Sequence, residues 1–369
     1  AGISLPVLFI SILQFRKRKK GQSHQSDFLN ALYWLIEDRH EEALEALKKT
    51  VKNDTDNIMA YIQLGMLLRR MNQPEKAAKI HKNLLVRGNL TEHESLLILR
   101  HLVLDYREAG SIDLAIETAA RLAQRDKKNM EAKQFLLGLY EEQGNWDKAF
   151  YYRQGINKWL KKKDQPILAL YKVNSGLNQI ENGKEHDGRI LFREAAKLNK
   201  NCEPAYLLWG DSYKREGRNE DAFKIWREFC HKNPEKSYLV FDRLKEVLYD
   251  LGRYGEFELL LQNIIRKKPK HPAPYLNLIE MNQKQGRITE ALDLCEQVLE
   301  NHPDLTSGRL LQVQLLQQRN DIERAMQIAE ETLQMEMAEE AVYHCNVCNH
   351  QTSELIWHCP ECKTWNSFE

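Results

Sequence analysis

Two hydrophobic patterns divide this chain. Ala1 to Phe15 is mostly apolar (Ile3, Leu5, Val7, Leu8, Phe9, Ile10, Ile12, Leu13, Phe15) without a charged side chain, and Arg16-Lys17-Arg18-Lys19-Lys20 follows at once. From about residue 24 the pattern repeats instead. A small residue recurs at what would be the close-packing point of a second helix: Ala43, Ala77, Ala115, Ala149, Gly188, Ala222, Ala291 and Ala325, with Phe257 in the equivalent place of one unit. Successive steps are 34, 38, 34, 39, 34, 35, 34 and 34 residues. Units of this length hold two helices and bury a continuous core only by stacking on their neighbours.

Nine units begin near residues 24, 58, 96, 130, 169, 203, 238, 272 and 306, the first and last being the weakest matches, as capping units are. The clearest runs from Glu203 to Lys236 and carries Tyr206, Trp209-Gly210, Tyr213, Gly217, Ala222, Trp226 and Pro234. Gly210 and Ala222 are small where two antiparallel helices approach. Gly217 stands at the turn, where a left-handed residue is needed, and Gly110, Gly144, Gly183, Gly252 and Gly286 repeat that signal. Pro234, Pro269 and Pro303 recur where the second helix must stop. On these residues the stretch 24–339 resembles the tetratricopeptide-repeat family. The resemblance implies an all-α fold, a superhelix of about nine helical hairpins whose first helices line a concave groove, and a role in binding peptides or other proteins. Candidate groove residues in the best unit are Leu207, Asp211, Lys214 and Arg215; the plainer reading makes their charges a solvated face. Two insertions lie around Val86–Ser95 and Lys158–Leu168. The second, Lys158-Trp159-Leu160-Lys161-Lys162-Lys163-Asp164-Gln165-Pro166, is a basic extension ending at a proline and reads as structural, a joint between two halves of the array or a lengthened helix with an exposed end, with a docking patch as the alternative.

The opening run has its basic residues after the apolar segment, the reverse of a signal peptide. That order matches a single-pass membrane anchor over 1–15 whose basic flank, Arg16, Lys17, Arg18, Lys19 and Lys20, stays on the cytoplasmic side. Fifteen helical residues reach only ~22 Å, against a hydrocarbon core of roughly 30 Å. Since the chain opens on Ala rather than Met, the expectation is a longer helix truncated at its start. Residues 16–26 then form a basic juxtamembrane linker. A buried or interfacial helix is the competing reading.

Charged residues make up 29% of the 369, with only 17 Gly and 10 Pro, which favours helix. A net charge of +1 leaves no global field to attract nucleic acid. Cys202, Cys230 and Cys295 are scattered singly and show no disulfide framework. His81 and Cys295 share a core-type offset, and Tyr151-Tyr152 and Trp226/Phe229 fall at packing offsets rather than forming a base-stacking platform. No catalytic triad, carboxylate pair or phosphate loop is present in the repeats, and no enzymatic activity is expected.

The remaining four cysteines close the chain in residues 340–369. Cys345-x-x-Cys348 and Cys359-x-x-Cys362 lie ten residues apart, so four thiolates can meet at the corners of a tetrahedron. Each two-residue spacer allows one tight turn to present both sulfurs. The set suits one metal ion, iron or zinc, and leaves no open coordination position. His344, His350 and His358 stand beside the cysteines as weaker ligand candidates, and Trp357 and Trp365 are placed to cover the knuckles or pack on the last repeat. A disulfide pairing competes with the metal, but a cytoplasmic location disfavours it.

Trp357-His358-Cys359-Pro360-Glu361-Cys362-Lys363-Thr364-Trp365, preceded by Cys345-x-x-Cys348, resembles the rubredoxin-type tail of the lipopolysaccharide assembly protein B family. The anchor, nine repeats and four-cysteine tail extend that resemblance along the whole chain. Two departures stand out: Asn349 occupies a place where such knuckles commonly have glycine, and the chain stops soon after Trp365. The resemblance implies an inner-membrane adaptor, its repeats facing the cytoplasm, that regulates lipopolysaccharide biosynthesis. Its partners would be an FtsH-type membrane protease, the lipid A deacetylase whose level that protease controls, and other lipopolysaccharide assembly proteins. A generic repeat scaffold of another membrane pathway, a zinc-ribbon nucleic-acid-binding factor and an iron electron carrier are the alternatives. Lys363 is the only Lys or Arg of the tail, which disfavours nucleic acid.

Overall fold

A computed structural model describes residues 27–338, 343–352, 356, 358–364 and 367–368. The expected anchor and basic linker, residues 1–26, lie outside the described residues. Among those described, no helix is long and apolar enough to cross a membrane.

The chain divides into two compact units at Asn199/Lys200. The first contains five hairpins: α1 (27–36) with α2 (His40–Asn53), α3 (Ile58–Arg70) with α4 (Pro74–Leu84), α5 (Glu92–Glu108) with α6 (Ile112–Arg125), α7 (Met130–Glu142) with α8 (Trp146–Leu160), and α9 (Gln165–Glu181) with α10 (Glu185–Leu198). The second contains four: α11 (Glu203–Arg215) with α12 (Asn219–Lys232), α13 (Phe241–Asp250) with α14 (Gly255–Lys267), α15 (Pro272–Lys284) with α16 (Ile288–Asn301), and α17 (Thr306–Gln318) with α18 (Ile322–Ala338). A 3-10 helix, Pro234–Val240, precedes α13. The division falls between the fifth and sixth hairpins, so the Lys158–Leu168 insertion is not the joint between halves. Its extra residues go into a 15-residue α8, a 17-residue α9 and the exposed loop between them.

One backbone device closes every hairpin. Asp38, Asn72, Gly110, Gly144, Gly183, Gly217, Gly252, Gly286 and Asn320 all have positive φ. In each case the next residue's amide donates to a carbonyl five positions back, as Arg218 N–H does to Tyr213 O at 2.9 Å and Asp321 N–H to Leu316 O at 2.9 Å. This left-handed cap satisfies carbonyls that the helix end leaves over. Asp and Asn fill the position in the first, second and last hairpins because their short polar side chains tolerate it better than other non-glycine residues.

Between paired helices the small residues are buried as expected: Ala43, Ala77, Ala115, Ala149, Ala222 and Ala291 have no exposed surface, and Phe257 is equally buried. In three hairpins the residue four positions further along the second helix is a ring that enters a glycine notch in the first. A Cβ on Gly210 would collide with the Trp226 ring, one on Gly176 with Phe192, and one on Gly65 with His81. Trp226, Phe229, Phe192 and Cys295 are fully buried accordingly. Neighbouring hairpins share these cores: Tyr275, Ile279, Ala291, Cys295, Leu315 and Ala325 form one cluster across α15 to α18.

His81 does more than pack. Its Nδ1 lies 2.5 Å from the Asp105 carboxylate and its Nε2 lies 3.3 Å from Ile62 O. Arg69 donates to the other Asp105 oxygen at 2.6 Å, and the His101 ring stacks on His81 with centroids 5.6 Å apart. Burial, reinforced by the positive charges of His81, Arg69 and Arg100, pushes His101 down to about 4. Arg69, His81 and Asp105 satisfy one another, as buried polar groups must, whereas the buried His101 Nδ1 has no hydrogen-bond partner among the described residues. Tyr151 corrects its expected packing role, for it is 67% exposed, while Tyr152 stacks on Tyr140.

Candidate metal centre

The tail folds around its cysteines. The short strand β1 (Tyr343–His344) pairs antiparallel with β2 (Gln351–Thr352), bringing the chain back after the first Cys-x-x-Cys turn. Cys345 also bridges to Phe368. Cys345, Cys359 and Phe368 are the buried centre of the module, with Tyr343, Ile356 and Cys362 packed on them. A module whose core consists largely of thiols has little apolar surface with which to fold alone.

The two turns repeat one another. Cys345 N–H donates to His350 O at 2.9 Å, and Asn349 N–H to Cys345 O at 2.8 Å; Cys359 N–H donates to Thr364 O at 2.9 Å, and Lys363 N–H to Cys359 O at 3.0 Å. Asn349 and Lys363 each have φ 59°. Asn349 therefore does the conformational work of the glycine it replaces.

The four Sγ atoms lie within 4.8 Å of one another. The cross-turn pairs are shorter, Cys345–Cys362 at 3.6 Å and Cys348–Cys359 at 3.5 Å. A tetrahedral ion with metal–sulfur bonds near 2.3 Å requires sulfurs about 3.8 Å apart, so the donor set fits one metal ion. Its electrostatics point the same way. Burial pushes the Cys345 thiol up, but the Ser367 hydroxyl and the amides of Cys348 and Val347 outweigh it and bring it down to about 6. The Thr364 hydroxyl and amide hold Cys362 below its ordinary value. Against the lowering effect of the His350 amide, desolvation and the neighbouring sulfurs push Cys348 up to about 12. Four crowded sulfurs resist carrying four negative charges unless a cation lies among them.

All four free cysteines of the tail belong to this set. His344, His350 and His358 are not part of it; the His350 ring instead meets Phe368 edge-on. Trp357 and Trp365 lie outside the described residues. Cys202, Cys230 and Cys295 are buried apart from it, and burial raises all three thiols, Cys230 and Cys295 to about 12.

The candidate groove residues all lie on α11. Asp211 accepts two bonds from Arg243 on α13, at 2.8 and 3.1 Å, and Lys214 pairs with Glu246 on α13. The Leu207 carbonyl accepts from Trp226 Nε1 at 3.4 Å, and Arg215 is exposed. These ion pairs join successive first helices, so a partner on this face must replace or extend them. Their periodicity left no trace in a single unit, because each partner lies one repeat away.

Comparison with known proteins adds to this geometry. A family model described as a rubredoxin metal binding domain matches residues 343–369, and a tetratricopeptide repeat model matches 204–236 and 275–305. Lipopolysaccharide assembly protein B of Escherichia coli K12 is 21% identical over 358 residues, covering 96% of this chain and 92% of that protein. The protein of the same name from Haemophilus influenzae is 24% identical over 374 residues, covering 96% and 93%. Among solved structures, the Naa15/Naa10 complex bound to HypK is similar with a TM-score of 0.45 at 14% identity, covering 86% of this chain and 59% of that one.

Proposed function

We infer that this chain, which belongs to the lipopolysaccharide assembly protein B family, is a non-catalytic adaptor in the regulation of lipopolysaccharide synthesis. The observation that carries this reading is similarity running through both the hairpin array and the four-cysteine tail. Repeat similarity alone is shared by many scaffolds; here it is joined to a match to a rubredoxin metal binding domain. Stacked hairpins offer long surfaces for protein partners.

Within that reading, residues 1–15 serve as an inner-membrane anchor with the basic flank Arg16 to Lys20, and the repeats face the cytoplasm. The repeats hold the committed lipid A deacetylase and present it to an FtsH-type membrane protease, alongside other lipopolysaccharide assembly proteins. Cys345, Cys348, Cys359 and Cys362 hold one metal ion, iron or zinc. When bound, the ion neutralises the thiolates and cross-links the two turns. With four protein ligands its coordination is saturated, which supports a structural role. The backbone amides and the Ser367 and Thr364 hydroxyls orient the sulfurs and spread their charge.

Crosslinking in native membranes followed by capture of this chain tests the proposal, with Cys359→Ser and Cys362→Ser alongside. Recovery of the protease and the deacetylase with the unaltered chain, weakened in the variants, is the expected result. Recovery of neither removes the adaptor reading. A second class of function, electron transfer through iron, predicts a red, redox-active preparation, and a colourless zinc-loaded one excludes it.

A further inference from the structure

The outward face of α8 and the loop after it carry a group of exposed side chains, among which Tyr151 meets the Tyr152 ring edge-on with centroids 5.2 Å apart. Lys158 through Lys163 are all exposed. Trp159 is 64% exposed, Leu160 43% and Tyr151 67%. Tyr151, Gly155, Lys158 and Trp159 are spaced to share one face of the helix. Gly155 has open space where its side chain would be, so nothing separates the two rings from solvent.

The lysines here are unengaged among the described residues. Lys158, Lys161, Lys162 and Lys163 have no carboxylate partner among the described residues, whereas Lys214, Lys232, Lys236 and Lys268 are all ion-paired. The nearby Asp164 carboxylate is turned to Arg153, 4.0 Å away. Capping does not explain the lysines either. Lys161, with φ 54°, turns the chain, and the main-chain amides of Lys161 and Lys162 satisfy Asn157 O.

We propose that this helix end, Lys158 to Lys163 with Tyr151, is a docking surface for an anionic phospholipid bilayer. Four point charges on flexible stems around a protruding indole fit a plane of phosphates over hydrocarbon. An acidic polypeptide partner would instead call for a recess to receive the ring and fixed hydrogen bonds to set its register. Tryptophan prefers the headgroup level, and lysines near an anionic surface add roughly equal increments of attraction. Together the four lysines contribute on the order of several hundredfold to surface affinity. The surface is separate from the expected anchor and acts whether or not residues 1–15 cross the membrane.

The test mixes or reconstitutes the full chain with vesicles whose acyl chains carry bromine, a short-range quencher. One set is pure phosphatidylcholine and the other includes phosphatidylglycerol. The Trp159 signal is the difference between the unaltered chain and Trp159→Phe, which cancels the other tryptophans and any effect of the N-terminal run. The expected result is loss of most of this signal in the anionic vesicles only, abolished by raised salt and by combined Lys158→Gln, Lys161→Gln, Lys162→Gln and Lys163→Gln. A Trp159 signal that is unquenched, or quenched equally in both vesicles, overturns the proposal. So does a Trp159 response to soluble polyglutamate without quenching by anionic vesicles. Unchanged circular dichroism melts show that the variants remain folded.

Discussion

Asn349 and Lys363 occupy the same place in the two cysteine turns, each at φ 59°, and each donates its amide to the carbonyl of the first cysteine of its turn. The two halves of the module are thus built to one pattern although glycine stands at neither position. Left-handed backbone is tolerated by Asn at little strain, less readily by Lys, and poorly by β-branched residues.

Asn349→Gly should therefore leave the metal-loaded module as stable as before, within ~1 kcal/mol. Asn349→Val should destabilise it by about 1–3 kcal/mol. The half-time of metal transfer to a chelator reads both changes. Faster release from Asn349→Gly than from Asn349→Val would refute the assigned backbone role.

Metal removal should unfold the tail and spare the hairpins. Structural zinc supplies about 10–16 kcal/mol in small peptide modules, whereas the helices have apolar cores of their own. Chelation, or Cys359→Ser, should abolish the dispersed amide resonances of residues 343–368 while helical circular dichroism stays nearly constant. A large loss of helix would mean that the ion supports the array as well.

Gly210 and Trp226 should behave as a lock and its key. Gly210→Ala adds a methyl where the indole already sits, and overpacking of this kind costs about 1–3 kcal/mol. Trp226→Ala should cost about 3–5 kcal/mol. In the double variant the clash is gone, so the two losses should not add. Urea melts of the three variants measure this coupling.

The buried His101 predicts a stability that depends on acid. Its proton affinity is depressed to about 4 by burial and by the positive charges of His81, Arg69 and Arg100. The unfolded chain therefore binds a proton near pH 6.5 that the folded chain refuses until about 4. The neutral-histidine contribution is complete above pH 6.5 and drains away as the pH falls towards 4. The loss is on the order of 2–3 kcal/mol. His101→Phe keeps the stacked ring and should flatten the difference in melting between pH 7 and pH 4.5, relative to the unaltered chain. An identical pH profile for both would show that His101 does not titrate in this way.

Much of this architecture is legible in the sequence because its constraints are local. A small residue every 34 or so positions and a glycine at six of the turns mark the hairpins, and Cys-x-x-Cys spacing marks the tail. Asp38, Asn72 and Asn320 escape such a reading because the same left-handed turn accepts residues common anywhere on a surface. Arg69, His81 and Asp105 come from three helices in two hairpins, so their convergence has no signature in spacing. The same holds for Asp211 and Arg243. The Asn199/Lys200 division is also hidden, because it leaves the repeat period undisturbed. Trp159 falls in an insertion that reads as structural, since sequence alone does not reveal that its ring faces solvent.

The most direct test of the adaptor assignment is the lifetime of the committed lipid A deacetylase in Escherichia coli cells lacking their own lipopolysaccharide assembly protein B. Pulse-chase labelling should show rapid, FtsH-dependent turnover restored by this chain, and slower turnover with Cys359→Ser. If the deacetylase stays long-lived although the chain is present at the membrane, and the native Escherichia coli protein restores turnover in parallel, the adaptor account is contradicted.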